Sequence, residues 1–261
     1  MTAAAIEGLR AEQARALDLI ATLTPDEWAA ASGCTGWRVQ DVVQHMASVF
    51  HGIADPTTIE RGESHDVEEN AEVPVQARKD WSVDQVVAEY KEWSDKGIGA
   101  LAGMQEAPMA DMVVPIGNLG SHPLHILGNA IAFDHYCHLR HDIGAAVPRA
   151  ADLPRDAAVL TATVEWMLAG LPQMCEGALA GCSQGVNLHF TDLGTTAAVV
   201  PPDGDGLWEV RDGATAGLPT ASGSAHDFVS WATQRADWRA TWTLDQANDA
   251  AAATLDAFNV I

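Results

Sequence analysis

The 261-residue sequence predicts a multidomain α+β protein, with a four-helix bundle over residues 1–148 and a small α+β domain over residues 149–261. Three observations support this prediction. Four long segments with apolar residues at helical spacing precede residue 145. Beyond it, short segments of alternating polarity are separated by turns rich in Gly and Asp. Hydrophobic residues make up 48% of the chain, so a sizeable core can form.

The bundle is predicted from its amphipathic segments and their end signals. A proline and two acids follow Thr24 and start a short helical turn, and Ser82 is a typical N-cap residue. Residues 54–80, rich in charge, Pro and Gly, are expected to form an irregular connection that lies over a site. The long helices are expected at residues 3–22, 39–53, 83–102 and 124–142, the last ending near Gly144. An antiparallel bundle is the simplest way to bury four single-sided apolar stripes.

The second half is expected to start with a linker at residues 145–155 and a helix at residues 156–171. Three segments, VNLHF, TTAAVV and LWEV, then alternate in polarity between Gly-containing turns and predict short antiparallel strands. Ser224 is expected to begin a helix that ends near Gln234, and an alanine-rich helix is expected at residues 244–258. These elements predict a second, smaller α+β domain.

The last predicted helix of the bundle contains the strongest functional signal. Leu127 and Ile131 lie on one apolar stripe. The next positions of the same stripe are Asp134, His138 and His141. Burying an unpaired carboxylate costs several kcal/mol, so such groups are normally paired or bound to a metal. Because Asp134 and His138 are one helical turn apart, both can reach a single ion.

A third ligand is predicted on the second long helix, where His45 shares a stripe with Val42 and Val49. A single histidine on an apolar face is more often a core residue than a ligand. Here two helices independently place metal-capable groups on an inward stripe. The sequence therefore predicts a metal site formed by His45, Asp134 and His138.

Two imidazoles and one carboxylate leave coordination positions open, as catalytic zinc sites do. Zinc is the default ion, with nickel, iron and manganese as alternatives. The open position would hold water or an external thiol, whose pKa a metal lowers. Asp142 is an alternative carboxylate ligand, or a hydrogen-bond acceptor for an imidazole N–H. His51 is interpreted as a surface residue.

Composition limits the partners and the compartment. The net charge of −22 argues against nucleic acid or an anionic membrane as the main partner. The acidic N-terminal segment and the lack of a long apolar run predict neither a signal peptide nor a membrane span. The four cysteines show neither C-x-x-C pairing nor zinc-finger spacing, so a reducing cytosol is expected. They are Cys34, Cys137, Cys175 and Cys182.

The motif GWRVQDVVQHMA, followed by a long helix with the pattern D-x-x-x-H…D, resembles the DinB-like metal-binding bundles. More closely, it resembles the mycothiol-dependent maleylpyruvate isomerase family. The C-terminal pattern LWEVRDG…ASGSAHDFVSWATQRAD resembles that family's second domain, which is similar to sterol-carrier-protein-like folds. The resemblance covers nearly the whole chain.

The resemblance implies the same three metal ligands, His45, Asp134 and His138, although the family's carboxylate is often glutamate. It also implies that Arg78 and Arg235 act in binding substrate or thiol near the metal, with Arg235 at the thiol cofactor. A guanidinium suits either role because it binds carboxylates through a bidentate fork.

These expectations predict a cytoplasmic thiol-dependent isomerase or S-transferase, acting as a monomer or homodimer. A divalent metal, zinc by default, would activate mycothiol or a similar thiol for addition to a small electrophilic substrate. Two alternatives stay open. One is a metal-dependent hydrolase or lyase that uses metal-bound water. The other is a non-catalytic protein that binds an apolar ligand and merely buries the bundle histidines.

Overall fold

The structure is a computed structural model and describes residues 3–260 of the chain. The chain divides into two compact units, Met1–Ala162 and Thr163–Ile261. The division falls inside a helix, Ala157–Met174, whereas the sequence places the domain boundary after residue 148. That boundary stays a prediction. The mixture of a helical first unit and a second unit with a sheet confirms the predicted α+β class.

The first unit consists mainly of helices, and each helix that the sequence predicts is present. Its larger helices are α1 (Ala3–Ile20), α2 (Pro25–Ala29), α3 (Val39–Ala54), α4 (Val67–Ala77), α5 (Val83–Gly103) and α6 (Leu127–Cys137). Strands β1 (Val113–Pro115) and β2 (Ser121–Pro123) form a short antiparallel hairpin between α5 and α6. A π-helical segment, His138–Ile143, continues α6 and leads into α7 (Gly144–Ala146) and α8 (Pro148–Ala151).

The predicted N-terminal signals are confirmed as capping boxes. The hydroxyl of Thr24 accepts from the Glu27 N–H at 3.3 Å, and the Glu27 carboxylate accepts from the Thr24 N–H at 2.8 Å. Ser82 and Gln85 form the same reciprocal pair at the start of α5. Each box satisfies two backbone donors that the helix leaves without an internal partner.

Two expectations about the first unit are wrong. The connection at residues 54–80 contains α4, which begins at an N-cap, Asp66, and buries Val75. Pro74 lies inside this helix, and a proline in the sequence normally indicates the end of a helix, so the sequence pattern did not indicate α4. Gly144 does not end the last helix of the bundle, because its φ of −58° is helical and α7 starts there.

Helices α3 and α5 lie very close together where Gly97 of α5 meets Phe50 of α3. A Cβ at Gly97 of α5 would lie 2.6 Å from Cδ1 of Phe50 and 3.0 Å from its Cα. The two helices can approach this closely because residue 97 has no side chain. Phe50 is fully buried, and its ring packs edge-on against Tyr90 with 5.9 Å between ring centroids.

The second unit contains a five-stranded sheet with the order β5-β4-β3-β6-β7. Its elements are α9 (Ala157–Met174), α10 (Glu176–Leu179), β3 (Val186–Phe190), β4 (Thr195–Val200), β5 (Glu209–Asp212), β6 (Thr220–Gly223), α11 (Ala225–Ala232), β7 (Thr243–Leu244) and α12 (Asp249–Asp256). Strand β4 pairs antiparallel with both β3 and β5, which confirms the antiparallel pairing predicted for these three segments, whereas β3 also pairs parallel with β6, a strand that the sequence did not predict. Alternating polarity indicates a strand but does not give the direction of its neighbour. Phe190, Phe228 and Trp242 form the aromatic centre of this unit.

Across residues 3–260, no helix combines the length and the apolar character that crossing a membrane requires.

Candidate metal centre

Three side chains from two separate helical segments converge in the first unit. The Nε2 atom of His45, on α3, lies 3.1 Å from Oδ1 of Asp134, on α6. The Nε2 atom of His138 lies 3.4 Å from the same oxygen. One ligand atom from each of the three lies within 4.8 Å of the others. We call this group the Asp134 site.

The donor spacing of the Asp134 site fits a small divalent ion. Zinc binds nitrogen and oxygen at about 2.0–2.2 Å in tetrahedral geometry, which puts neighbouring donors roughly 3.4 Å apart. The two measured separations, 3.1 and 3.4 Å, bracket that value. The side chains of His45, Asp134 and His138 stay 11%, 19% and 14% exposed, so an external ligand can approach.

The π-helical segment holds His138 through its other nitrogen. The Nδ1 atom of His138 donates to Oδ2 of Asp142 at 2.8 Å, and Asp142 is almost fully buried. A carboxylate on the far nitrogen of a metal-binding histidine fixes the ring and makes it more basic. The geometry thus separates two roles that the sequence left open: Asp134 faces His45, and Asp142 faces the back of the His138 ring. The roles themselves stay predictions.

The electrostatics of the site favour charged side chains. Burial by itself would raise the pKa of Asp134, but the imidazoles of His138 and His45 outweigh it and hold that pKa well below its usual range. Burial would lower the pKa of His138, but Asp134, and hydrogen bonds to Asp134 and Asp142, raise it well above its usual value. The buried carboxylate is therefore compensated by positive charge, which a divalent cation supplies equally well. The donor set fits a metal ion in both charge and spacing.

The loop before α3 closes one side of the site, and sequence reasoning missed its contribution. The Gly33 N–H donates to the Asp142 carbonyl at 2.9 Å, which brings Cys34 to within 3.9 Å of His138 Nδ1. Trp37 packs against His45 with 5.3 Å between ring centroids. The contacts of Gly33 and Cys34 join segments about a hundred residues apart, so local spacing could not indicate them.

Arg78, which the sequence presents as a catalytic candidate, ends α4 and is buried. Its Nε donates to both carboxylate oxygens of Glu89 at 3.0 Å, and its Nη1 donates to Glu60. Glu89 also accepts from Nδ1 of His51 at 3.1 Å. His51 is therefore a buried member of this network, and its interpretation as a surface residue is wrong. Nε and Nη1 of Arg78 are therefore engaged by two acidic partners.

Arg235 lies in the second unit, just after α11, and its side chain is exposed. Its backbone N–H donates to the Ser230 carbonyl at 2.9 Å. Its role toward a thiol stays a prediction.

Comparisons with known proteins point to one family. A family model described as the mycothiol maleylpyruvate isomerase N-terminal domain matches residues 9–140, just over half of the chain. A crystal structure of mycothiol-dependent maleylpyruvate isomerase is similar over 96% of both chains, with a TM-score of 0.56 and 13% identity. A crystal structure of a histidine-to-alanine mutant of that enzyme covers the same 96% of both chains, with a TM-score of 0.55 and 12% identity. At these identities the similarity supports the fold. A comparison with curated protein sequences finds no match.

Proposed function

The chain belongs to the mycothiol maleylpyruvate isomerase N-terminal domain family, and we propose that it is a metal-dependent enzyme that activates mycothiol or a similar low-molecular-weight thiol. The thiol adds to an electrophilic carbon of a small substrate in the cytoplasm. The product forms either by isomerisation of a double bond through addition, rotation and elimination, or by transfer of the sulfur to give a conjugate.

The observation that supports this proposal most directly is the convergence of His45, Asp134 and His138 around a space that fits one divalent ion. A bound zinc or similar ion would lower the pKa of an incoming thiol, so that it reacts as thiolate at neutral pH. Three protein donors leave at least one position for that thiol. The partial exposure of the three side chains supports the same use.

The neighbouring residues have positioning roles in this proposal. Asp142 holds His138 through Nδ1, so that Nε2 presents its lone pair to the ion. Trp37 covers one side of His45, and its Nε1 donates to Glu72 of α4 at 2.7 Å. This bond ties α4 to the loop that precedes α3. The connection over residues 54–80 is thereby fixed to the aromatic side chain that packs on His45.

Two buried polar side chains on α3, the helix of His45, have unused hydrogen-bonding capacity. The amide of Gln44 and the hydroxyl of Ser48 are buried on α3, one helical turn apart. Neither has a hydrogen-bond partner among the described residues. Buried polar groups are normally hydrogen-bonded, so their unused capacity favours a polar ligand or ordered water at this face of α3. Arg78 and Arg235 remain proposed binders of the substrate or the thiol.

Metal content is the first test of the proposal. Full-length protein purified without chelator is expected to hold about one equivalent of a divalent ion, and the His138→Ala variant almost none, because His138 belongs to every candidate ligand group. His51→Gln is the matched control, because His51 is another histidine of the first unit but points to Glu89. Wild-type content below about a tenth of an equivalent, without rebinding, is the level of an adventitious site and would contradict metal dependence.

Thiol dependence is the second test. Metal-loaded protein is assayed with maleylpyruvate, with and without mycothiol, and separately for conjugation of mycothiol to small electrophiles. Turnover is expected only when both the metal and the thiol are present. Hydrolysis or elimination that proceeds equally well without thiol would contradict the proposal and favour a hydrolase or lyase that uses metal-bound water.

A further inference from the structure

A second cluster of metal-capable donors lies on the opposite side of the His138 ring. It consists of Cys34 Sγ, His138 Nδ1 and Asp142 Oδ2, which all lie within 4.8 Å of one another. The Sγ atom is 3.9 Å from Nδ1, and Nδ1 is 2.8 Å from Oδ2. We call this group the Cys34 site. It shares only the His138 ring with the Asp134 site and uses the other nitrogen.

The local backbone holds these donors in place. The Gly33 N–H bonds to the backbone of Asp142 at 2.9 Å, and the Cys34 N–H donates to the Ser32 hydroxyl at 3.1 Å. A Cβ at residue 33 would lie 2.9 Å from Oδ1 of Asp142, so the glycine allows this close approach. Cys34 is half-buried, whereas Asp142 is almost fully buried. The site therefore has an inner wall and one side that faces solvent.

The donor distances are compatible with a tetrahedral ion after small adjustments. With zinc–sulfur near 2.3 Å and zinc–nitrogen near 2.05 Å, a sulfur and a nitrogen donor lie roughly 3.6 Å apart. The sulfur is 0.3 Å beyond that, at 3.9 Å, and it belongs to a side chain with one rotatable bond. Nδ1 and Oδ2 are a hydrogen-bonded pair at 2.8 Å, so an ion that replaces the shared proton must spread them to roughly 3.4 Å. Sulfur also changes the preference of the site, because thiolate ligands favour zinc and softer ions, whereas the all-nitrogen-and-oxygen Asp134 site is less selective.

We propose that Cys34, His138 Nδ1 and Asp142 form a second metal site, specific for thiophilic divalent cations, that excludes metal from the Asp134 site. Binding at the Cys34 site releases the thiol proton to solvent. A neutral His138 ring then binds through Nδ1 and carries its one proton on Nε2, by loss of the Nδ1 proton to solvent and uptake of one proton at Nε2. A protonated Nε2 has no lone pair for an ion beside Asp134. The two sites are therefore alternatives. An excess of a thiophilic ion inactivates the enzyme, a consequence that rests on the proposed function, because the ion binds Nδ1 of His138 and leaves the Asp134 site empty.

Cobalt(II) is the probe, because thiolate ligation produces an intense near-ultraviolet charge-transfer absorption that nitrogen and oxygen ligands do not. The experiment titrates reduced, metal-free, full-length protein under anaerobic conditions, and counts bound ions by elemental analysis. The His45→Ala variant removes the Asp134 site and keeps the Cys34 site, so it is expected to bind one cobalt with the charge-transfer absorption. If that variant does not fold, His45→Phe fills the same space beside Trp37.

Cys34→Ser is expected to bind one cobalt without charge-transfer absorption, and wild type is expected to bind one ion in total. Cys182→Ser is the matched control, because Cys182 is also half-buried but lies in the second unit, and it should behave as wild type. The proposal is overturned if the His45 variants show no charge-transfer absorption, if Cys34→Ser retains it, or if wild type binds two ions at once. None of these results depends on catalysis. Failure of the proposed function would appear separately, as a Cys34→Ser protein that binds no metal.

Discussion

Replacing Asp142 with asparagine is expected to weaken metal binding at the Asp134 site without abolishing it. The substitution keeps the size of the side chain and removes its charge, so His138 Nδ1 loses a charged acceptor at 2.8 Å. Charge-assisted hydrogen bonds of this kind are about twice as strong as neutral ones. Loss of such a partner behind a metal-binding histidine typically costs about 10- to 100-fold in affinity, or about 1.4–2.7 kcal/mol.

The assay is competition for zinc against a chromogenic chelator at fixed pH and ionic strength, with the wild-type reference and every variant carrying Cys34→Ser, so that only the Asp134 site can bind. Asp95→Asn is the control, because Asp95 also accepts a hydrogen bond in the first unit, from Gln13 at 2.9 Å, but lies away from the site. Asp134→Asn is the second comparison and is expected to lose zinc almost completely. The reasoning is refuted if Asp142→Asn binds zinc as tightly as wild type. It is also refuted if Asp142→Asn loses binding while Asp134→Asn keeps it, because Asp142 would then be the direct ligand.

Three further predictions concern the first unit. Arg78→Ala leaves the buried carboxylate of Glu89 without its cation. It is expected to lower the free energy of unfolding by about 3–5 kcal/mol in denaturant titrations. Replacement of both Arg78 and Glu89 by apolar side chains is expected to restore much of that loss. Undiminished stability would instead favour a purely catalytic Arg78. Gly97→Ala presses a methyl group onto the backbone of α3 and is expected to cost about 1–3 kcal/mol and to weaken zinc binding, measured by the same two assays. A hydrogen bond from Arg149 lowers the pKa of Glu27 from 4.5 to about 2. The ionised Glu27 carboxylate should therefore stabilise the wild type relative to Glu27→Gln above pH 4.5, and this difference should vanish as pH falls toward 2. The measurement is the difference in unfolding free energy between wild type and variant as a function of pH.

The helices and their order could be predicted from the sequence because amphipathic spacing and capping residues act locally. Thr24 and Ser82 start helices as their residue types indicate. Helix α4 was missed because Pro74 lies inside it, a local signal against a helix, whereas the buried contacts of residues such as Val75 that stabilise the helix are not visible in a local pattern. Similarly, the parallel pairing of β3 with β6 depends on a long connection, and no local pattern encodes the direction of a strand.

The candidate site was predictable to the extent that it follows helical periodicity. The apolar stripe that continues into Asp134 and His138 indicates a site at that end of the helix. In the structure, His45 lies next to these two residues. The π-helical geometry beyond His138 and the return of the loop around Cys34 were not predictable. Both depend on backbone hydrogen bonds between distant segments, such as that from Gly33, and a single sequence contains no periodic signal for them.

The fold places two carboxylates on one imidazole and gives each carboxylate a different nitrogen. Asp134 precedes His138 by four residues and Asp142 follows it by four, so both reach the same ring from opposite turns. A ring held from both sides cannot rotate, and the choice of nitrogen therefore determines the second set of donors: His45 on the Nε2 side, or Cys34 on the Nδ1 side. In the proposed pair of sites, the nitrogen of His138 that is protonated therefore determines which donor set can bind an ion.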